Sequence, residues 1–126
     1  MAVKSISELR ENAMIYLYQM LIKASANMEE ILGDEELLSE EFSSTIDFVL
    51  SDIRKFRETI ADNLIDWEFE RLGYIEQAIL LLAIGEKNAL STPKSIIIDE
   101  AIKLAKKYGD DDTYKLINAA LDKVIQ

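Results

Sequence analysis

The side chains that could do chemistry here are carboxylates, amines, hydroxyls and phenols, because the sequence contains neither histidine nor cysteine. Imidazole catalysis, thiolate chemistry, disulfides and the common zinc sites are therefore excluded. Carboxylate-only metal sites remain open, but the 24 acidic residues make a pair such as Asp99 and Glu100 uninformative. No glycine-rich phosphate loop is present, and no nucleophile has a base beside it. We predict no enzyme, no metal site and no cofactor.

Basic and aromatic residues of the C-terminal third offer a different chemistry. Lys103, Lys106 and Lys107 are spaced to lie on one side of a helix, and Lys115 follows in the next one. Two interpretations stay open: favourable charge near a helix C-terminus, or a small patch that contacts phosphates. Three tyrosines are candidate stacking platforms for unpaired bases, and for Tyr18 the alternative is a tyrosine at the edge of the core. They are Tyr16, Tyr18 and Tyr114.

The overall charge is acidic, with a formal net charge of −10. This argues against indiscriminate nucleic-acid binding, whose affinity comes mainly from Lys and Arg on phosphates. It leaves room for a local basic patch, or for binding shared with a basic partner. From Ala24 to Ile53 there is no basic residue. That stretch is interpreted either as a solvated acidic face or as a surface that repels RNA or attracts a basic protein.

The stretch from Asp66 to Leu90 predicts the central helix that must position these residues. From Ala78 to Ile84 it is apolar on every side, and such a helix has to be surrounded by other elements. An amphipathic helix over about residues 7–24 follows a capping box formed by Ser5 and Glu8. It supplies one of the apolar faces that cover the central helix.

Further helices are predicted on both sides of the central one. Gly33 ends a short apolar segment, and Asp34 is a candidate cap for the next element. Apolar stripes then continue through residues 42–67 without Gly or Pro, so one helix or two are both open. Pro93 opens a helix that Gly109 closes, and the last helix begins in the acidic run that follows.

Together these elements predict one all-α domain over residues 1–126, with about six to seven helices around a central buried helix. The N-terminus lacks the apolar core of a signal peptide, and no apolar run approaches the roughly 18 residues of a membrane span. We therefore expect a cytoplasmic protein without a membrane segment.

Two parts of this sequence carry a recognisable pattern. The first is the run IEQAILLLAIGE, then Pro93, then IIIDEAIKLAKKYGDDDTYKLINAALDKV. The second consists of Arg10, Glu11, Ala13, Leu17 and Tyr18. The first part resembles the C-terminal half, and the second the first helix, of the NusB family of transcription antitermination factors. The resemblance spans nearly the whole chain and is weakest between about residues 25 and 65.

The resemblance implies a NusB-like helical domain of two small bundles without enzymatic activity. It implies pairing with the small-subunit ribosomal protein known as NusE, and joint binding of the boxA element of nascent ribosomal RNA within the RNA polymerase antitermination complex. Carried over by position, the RNA-binding residues are Lys4, Arg10, Lys115 and Asn118. Glu76 is carried over to the NusE-like partner.

Departures from the family pattern motivate a second hypothesis. The basic cluster ahead of Arg10 is reduced to Lys4, Leu116 replaces a phenylalanine, and Gly85 replaces an aromatic residue. Losing two or three phosphate contacts predicts weak RNA binding at cellular salt. In the alternative, the chain is a NusB-fold protein-interaction module, self-associating as a homodimer, with weakened or lost RNA binding.

Overall fold

The computed structural model describes residues 4–25, 34–64, 69–110 and 112–125. Within these ranges the protein is all-α, with six α-helices, two short 3-10 helices and no strand, which confirms the predicted class. The 3-10 helices are Glu35–Leu37 and Phe69–Arg71. The α-helices are α1 (Ile6–Ser25), α2 (Glu40–Ser51), α3 (Ile53–Asp62), α4 (Tyr74–Leu90), α5 (Lys94–Tyr108) and α6 (Thr113–Val124).

Helix α4 is the central helix, as predicted. Every residue from Glu76 to Glu86 is buried, because α1, α2, α5 and α6 all pack against α4. The helix begins at Tyr74 rather than near Asp66, which corrects the predicted start. The physical reason is local: the Gln77 side chain donates to the Leu72 carbonyl at 2.9 Å, and this closes the preceding turn instead of a longer helix. Residues 65–68, which include the Trp, lie outside the described ranges.

The first bundle packs α1, α2 and α3 around α4. Helix α2 approaches α4 closely at Gly85, where an added Cβ would lie 2.6 Å from Val49 Cγ2 and 3.0 Å from the Thr45 carbonyl oxygen. The question of one helix or two is settled at Asp52, whose φ of −154° and ψ of 57° end α2 and begin α3. The helix is interrupted at this position although neither a Gly nor a Pro is present.

The structure describes the hydrogen bonds of the two N-terminal caps that the sequence predicts ahead of α2. Ser5 Oγ accepts from the Glu8 N–H at 3.1 Å, which confirms the cap of α1. Asp34 caps the first 3-10 helix by accepting from the Glu36 N–H at 3.1 Å. The predicted apolar segment before Asp34, with Gly33 at its end, lies outside the described ranges.

The second bundle consists of α5 and α6 packed on each other and on α4. Pro93 stands directly before α5, and the Gly109 N–H ends that helix by donating to the Ala105 carbonyl at 2.8 Å. Residues Ile97, Ala101 and Leu104 form the buried stripe of α5. No helix of the described residues is both long enough and apolar enough to cross a membrane.

Candidate nucleic-acid interface

Helix α6 presents a polar face that brings two predicted site residues together. Lys115 and Asn118 are both exposed and stand three positions apart, so they share one side of the helix with Tyr114. The Nζ of Lys106 lies 4.8 Å from the centroid of the Tyr114 ring, and the Nζ of Lys115 lies 5.9 Å from it. We call Lys106, Tyr114 and Lys115 the lysine–tyrosine cluster. It joins the end of α5 to the start of α6.

The lysines of this region differ in whether a nearby carboxylate balances their positive charge. The Nζ of Lys103 lies 3.7 Å from Glu100 Oε1, and the Nζ of Lys107 lies 2.6 Å from Glu11 Oε1. Within the described part of the chain, Lys106 and Lys115 pair with no carboxylate. The two ammonium groups that pair with no described carboxylate therefore both lie beside the Tyr114 ring. Of the three lysines predicted to act as one patch, Lys106 alone contributes in this way.

A second polar cluster fastens α1 to the end of α5. Glu11 accepts a hydrogen bond from Lys107 and a short one from the Tyr108 hydroxyl. The Lys107 hydrogen bond, followed by that of Tyr108, lowers the pKa of Glu11. The same contact with Glu11 raises the pKa of Lys107 and the pKa of Tyr108. At neutral pH the cluster is a carboxylate, an ammonium and a neutral phenol.

Arg10, a predicted RNA contact, lies inside the protein with 5% of its surface exposed. Its Nε donates to both carboxylate oxygens of Glu86 at 3.0 Å, and its second terminal nitrogen donates to Oε1 at 2.5 Å. The other terminal nitrogen lies 3.6 Å from Glu100 Oε2, and the guanidinium stands 5.7 Å from the centroid of the Phe42 ring. Arg10 thus links α1 to α4, α5 and α2.

The buried position of Arg10 disfavours its direct contact with RNA, and that contact stays a prediction. The sequence holds a signal for the buried position. Arg10 begins the stripe that continues with Ala13, Met14 and Leu17, all of them buried. Its helical phase places it with the core residues of α1, whereas the resemblance placed it on the RNA surface. The partner Glu86 ends the buried run of α4, 76 positions later, and only the fold reveals that the two meet.

Glu76, the predicted contact with a protein partner, is also 5% exposed. Its Oε1 accepts from the Asp110 N–H at 3.4 Å and from the Thr113 hydroxyl at 3.5 Å. Two glycines leave room for the carboxylate. A Cβ at Gly73 would lie 2.5 Å from Glu76 Oε2, and one at Gly109 would lie 3.0 Å from Oε1. The side chain ties the start of α4 to the α5–α6 turn, and its contact with a partner stays a prediction.

Lys4, the remaining predicted RNA contact, is exposed just ahead of α1. That end of α1 reaches α5 through the Ser7 hydroxyl, which donates to Glu100 Oε1 at 2.9 Å. Lys4 is outside the lysine–tyrosine cluster. Within the described ranges, no group of three or more acidic residues is arranged to hold a metal ion.

Sequence comparison places this geometry in a known class of proteins. The model of the NusB family matches residues 7–126. The transcription antitermination protein NusB of Campylobacter jejuni strain 81-176 is 32% identical over 117 residues, which cover 90% of this chain and 89% of that protein. The chain belongs to the NusB family. The chain therefore shares a family with proteins named for transcription antitermination.

Comparison with solved structures agrees with this assignment. The structure of T. maritima NusB superposes with a TM-score of 0.79 at 26% sequence identity, covering 98% of this chain and 92% of that one. A chain in the structure named "Crystal Structure of a Plectonemic RNA Supercoil" superposes with a TM-score of 0.73 at 21% identity, covering 97% of this chain and 94% of that one. The second likeness concerns the fold alone.

Proposed function

We propose that this protein is an antitermination factor that binds boxA-type ribosomal RNA together with a NusE-like small-subunit ribosomal protein, in the cytoplasm of a bacterium. The observation that carries the proposal is a pair of ammonium groups beside Tyr114, in a NusB-family chain, that no carboxylate of the described residues pairs with. Lys115 and Asn118 are exposed there, and Lys106 adds a second ammonium from α5. An exposed amide and two free ammonium groups match the base edges and phosphates of an unpaired RNA strand.

The net charge of −10 explains why a partner is part of the proposal. Each lysine on a phosphate contributes a slope of about 0.7 in log affinity against log salt for single strands. Two such contacts on an acidic domain support only weak binding at physiological salt. A basic ribosomal protein would supply the missing charge and bring its own phosphate contacts. The partner would function within the RNA polymerase antitermination complex.

An acidic surface on the first bundle supports the pairing with a basic protein. Glu40, Glu41 and Asp47 are all exposed along α2, and Glu35 and Glu36 are exposed in the short helix before it. Complementary charge of this kind accelerates association and selects among partners. The buried carboxylate of Glu76 would support the partner surface by holding the α5–α6 turn in place.

One observation favours a second candidate, a protein-interaction module or homodimer with little RNA binding. The guanidinium of Arg10 is buried in the core. Lys4 is the one basic residue that precedes Arg10 in the sequence, and it is then the remaining candidate at this end of the chain for contact with RNA. In this alternative the acidic surface binds a protein, and the lysine–tyrosine cluster is a solvated helix end.

Binding of a fluorescent boxA-type RNA, measured by anisotropy at low and physiological salt, tests both candidates. We expect tight binding only when the NusE-like protein is present, and weaker binding by Lys115→Gln. The matched control is Lys55→Gln, which removes the same charge from an exposed position on α3. Association with the ribosomal protein without any RNA binding would favour the second candidate. Equal loss by both variants would show that net charge, not the α6 surface, determines affinity.

A further inference from the structure

The Tyr114 ring, near the start of α6, is the aromatic group of the lysine–tyrosine cluster. Two ammonium groups approach it, at 4.8 Å from Lys106 and 5.9 Å from Lys115. An ammonium near an aromatic face is held weakly when the site is open to water. Within the described residues neither lysine has a carboxylate that would hold it there. The ring and the two amines are therefore available to a ligand that offers a flat face and negative charge.

We infer that the lysine–tyrosine cluster is a single-nucleotide clamp, in which Tyr114 stacks on one unpaired RNA base while Lys106 and Lys115 hold the phosphates on either side. This inference rests on the proposed RNA-binding function and names the place where one base of the strand is held. A base has an aromatic face of its own, and its phosphates carry the charge that two free amines require.

The clamp is built on a rigid support. The Tyr114 side chain is half-buried and packs against the edge of the core. The hydroxyl of the preceding residue, Thr113, donates to the Asp110 carbonyl at 2.9 Å and lies 3.5 Å from Glu76 Oε1, which also accepts from the Asp110 N–H at 3.4 Å. These contacts connect the first turn of α6 to the buried start of α4. Little conformational freedom of the ring is lost when a base stacks on it.

To stack on the ring, a base must displace one of the two ammonium groups, and the free energy of this exchange favours the base. A base covers more of the ring than an ammonium does, and the displaced amine moves to the adjacent phosphate rather than to bulk water. Lys107 cannot take this role, because its Nζ lies 2.6 Å from Glu11 Oε1. Lys103 is likewise occupied by Glu100. The ion pairs of α5 thus leave Lys106 as the one lysine of that patch directed to the clamp.

Removal of the ring tests the stacking step. Tyr114→Leu retains apolar bulk at the edge of the core but cannot stack, whereas Tyr114→Phe keeps the ring. With the full-length chain, the NusE-like protein and a short single-stranded boxA-type RNA, we expect the leucine variant to bind roughly 5- to 100-fold more weakly. The phenylalanine variant should bind within about twofold of the wild type, since stacking does not use the hydroxyl. Unchanged binding by the leucine variant would overturn the clamp.

Matched lysine variants test the phosphate contacts. Lys106→Gln should reduce the slope of log affinity against log salt by about 0.7, whereas Lys103→Gln, one turn away, should leave the slope unchanged. Both substitutions remove one charge from the same helix, so net charge is the same in the two proteins. Equal slopes for the two variants would contradict the assignment of Lys106.

A scan of the RNA with single abasic sites separates the clamp from the function on which it rests. We expect one position where loss of the base weakens binding by the wild type but not by Tyr114→Leu. If the wild type binds RNA and every abasic site affects both proteins alike, the clamp is wrong and the RNA-binding function stands. If the wild type binds no RNA with or without the partner, both are wrong. Circular dichroism of each variant verifies that the helical fold is retained.

Discussion

Two basic residues from different regions of this molecule, Arg10 and Lys115, were predicted to contact RNA, but the fold buries the first and exposes the second. Arg10 lies inside the first bundle, where it donates to both oxygens of Glu86. Lys115 lies in the second bundle, exposed beside a half-buried ring. The difference follows from helical phase, since Arg10 shares a face with Ala13 and Leu17, whereas Lys115 points away from Ile117 and Leu121. A basic residue in a matched motif is thus a candidate for RNA only when its phase takes it to the surface.

The largest effect is expected from breaking the core that both regions share. Leu80 in α4 is fully buried, so Leu80→Asp would place an unpaired charge where no water can solvate it. We expect loss of cooperative unfolding and of helical signal in circular dichroism at ambient temperature. Asp99→Leu, an exposed change on α5, is the control and should leave the melting curve intact. A normal melting curve for Leu80→Asp would mean that α4 is not the centre of the core.

The next largest effect concerns the buried ion pair. Arg10→Ala leaves the carboxylate of Glu86, which is 2% exposed, without its partner, and we expect a loss of about 3–5 kcal/mol in unfolding free energy. Urea denaturation measures it. The double variant Arg10→Met with Glu86→Leu should recover most of the loss, because it removes both charges. A small loss in Arg10→Ala, combined with weaker RNA binding, would return Arg10 to the RNA surface.

A smaller effect is expected where α2 meets α4. Gly85→Ala would bring a methyl group to 2.6 Å from Val49 Cγ2, and the stiff β-branched neighbours cannot turn away. Overpacking of about 1–3 kcal/mol exceeds the gain of roughly 0.5–1 kcal/mol from the better helix former, so the variant should be less stable. Adding Val49→Ala should restore part of the stability. A more stable Gly85→Ala would show that α2 shifts freely on α4.

The smallest effect belongs to the surface cluster of Glu11, Lys107 and Tyr108. Because the folded-state pKa of Glu11 is lowered from 4.5, its contribution to stability is fully present above that value and is lost as the pH falls through the lowered pKa. Melting temperatures measured against pH should therefore show a slight advantage of wild type over Glu11→Gln at neutral pH, which disappears in acid. A difference that persists in acid would locate the effect elsewhere.

The parts of the fold that could be predicted are those that local sequence determines. The α4 core, the cap at Ser5 and the breaks at Pro93 and Gly109 each depend on residues that are close in the chain, and the structure agrees with them. The predicted start of α4 was wrong, because the helix begins where the Gln77 side chain donates a hydrogen bond to the Leu72 carbonyl. The spacing of apolar residues gives no indication of that bond.

Prediction of the site was limited in a different way. The sequence indicated the lysines of α5 as a patch, but their pairing with Glu11 and Glu100 depends on contacts between helices. Likewise, the burial of Glu76 depends on the α5–α6 turn, 34 residues further along the chain. Identity and spacing find the charged residues. The fold decides which of their charges remain available.

The contact at Gly85 also restricts how this sequence can change over time. Since the backbone of α4 at this position nearly touches the side chains of Thr45 and Val49, any relative with a side chain at position 85 must have smaller residues at 45 and 49 or a displaced α2. The three positions are therefore expected to covary, although position 85 is about 40 residues away from the other two in the chain. An aromatic residue could be accommodated at position 85 only through an altered path of α2, and with it of the acidic surface that α2 presents.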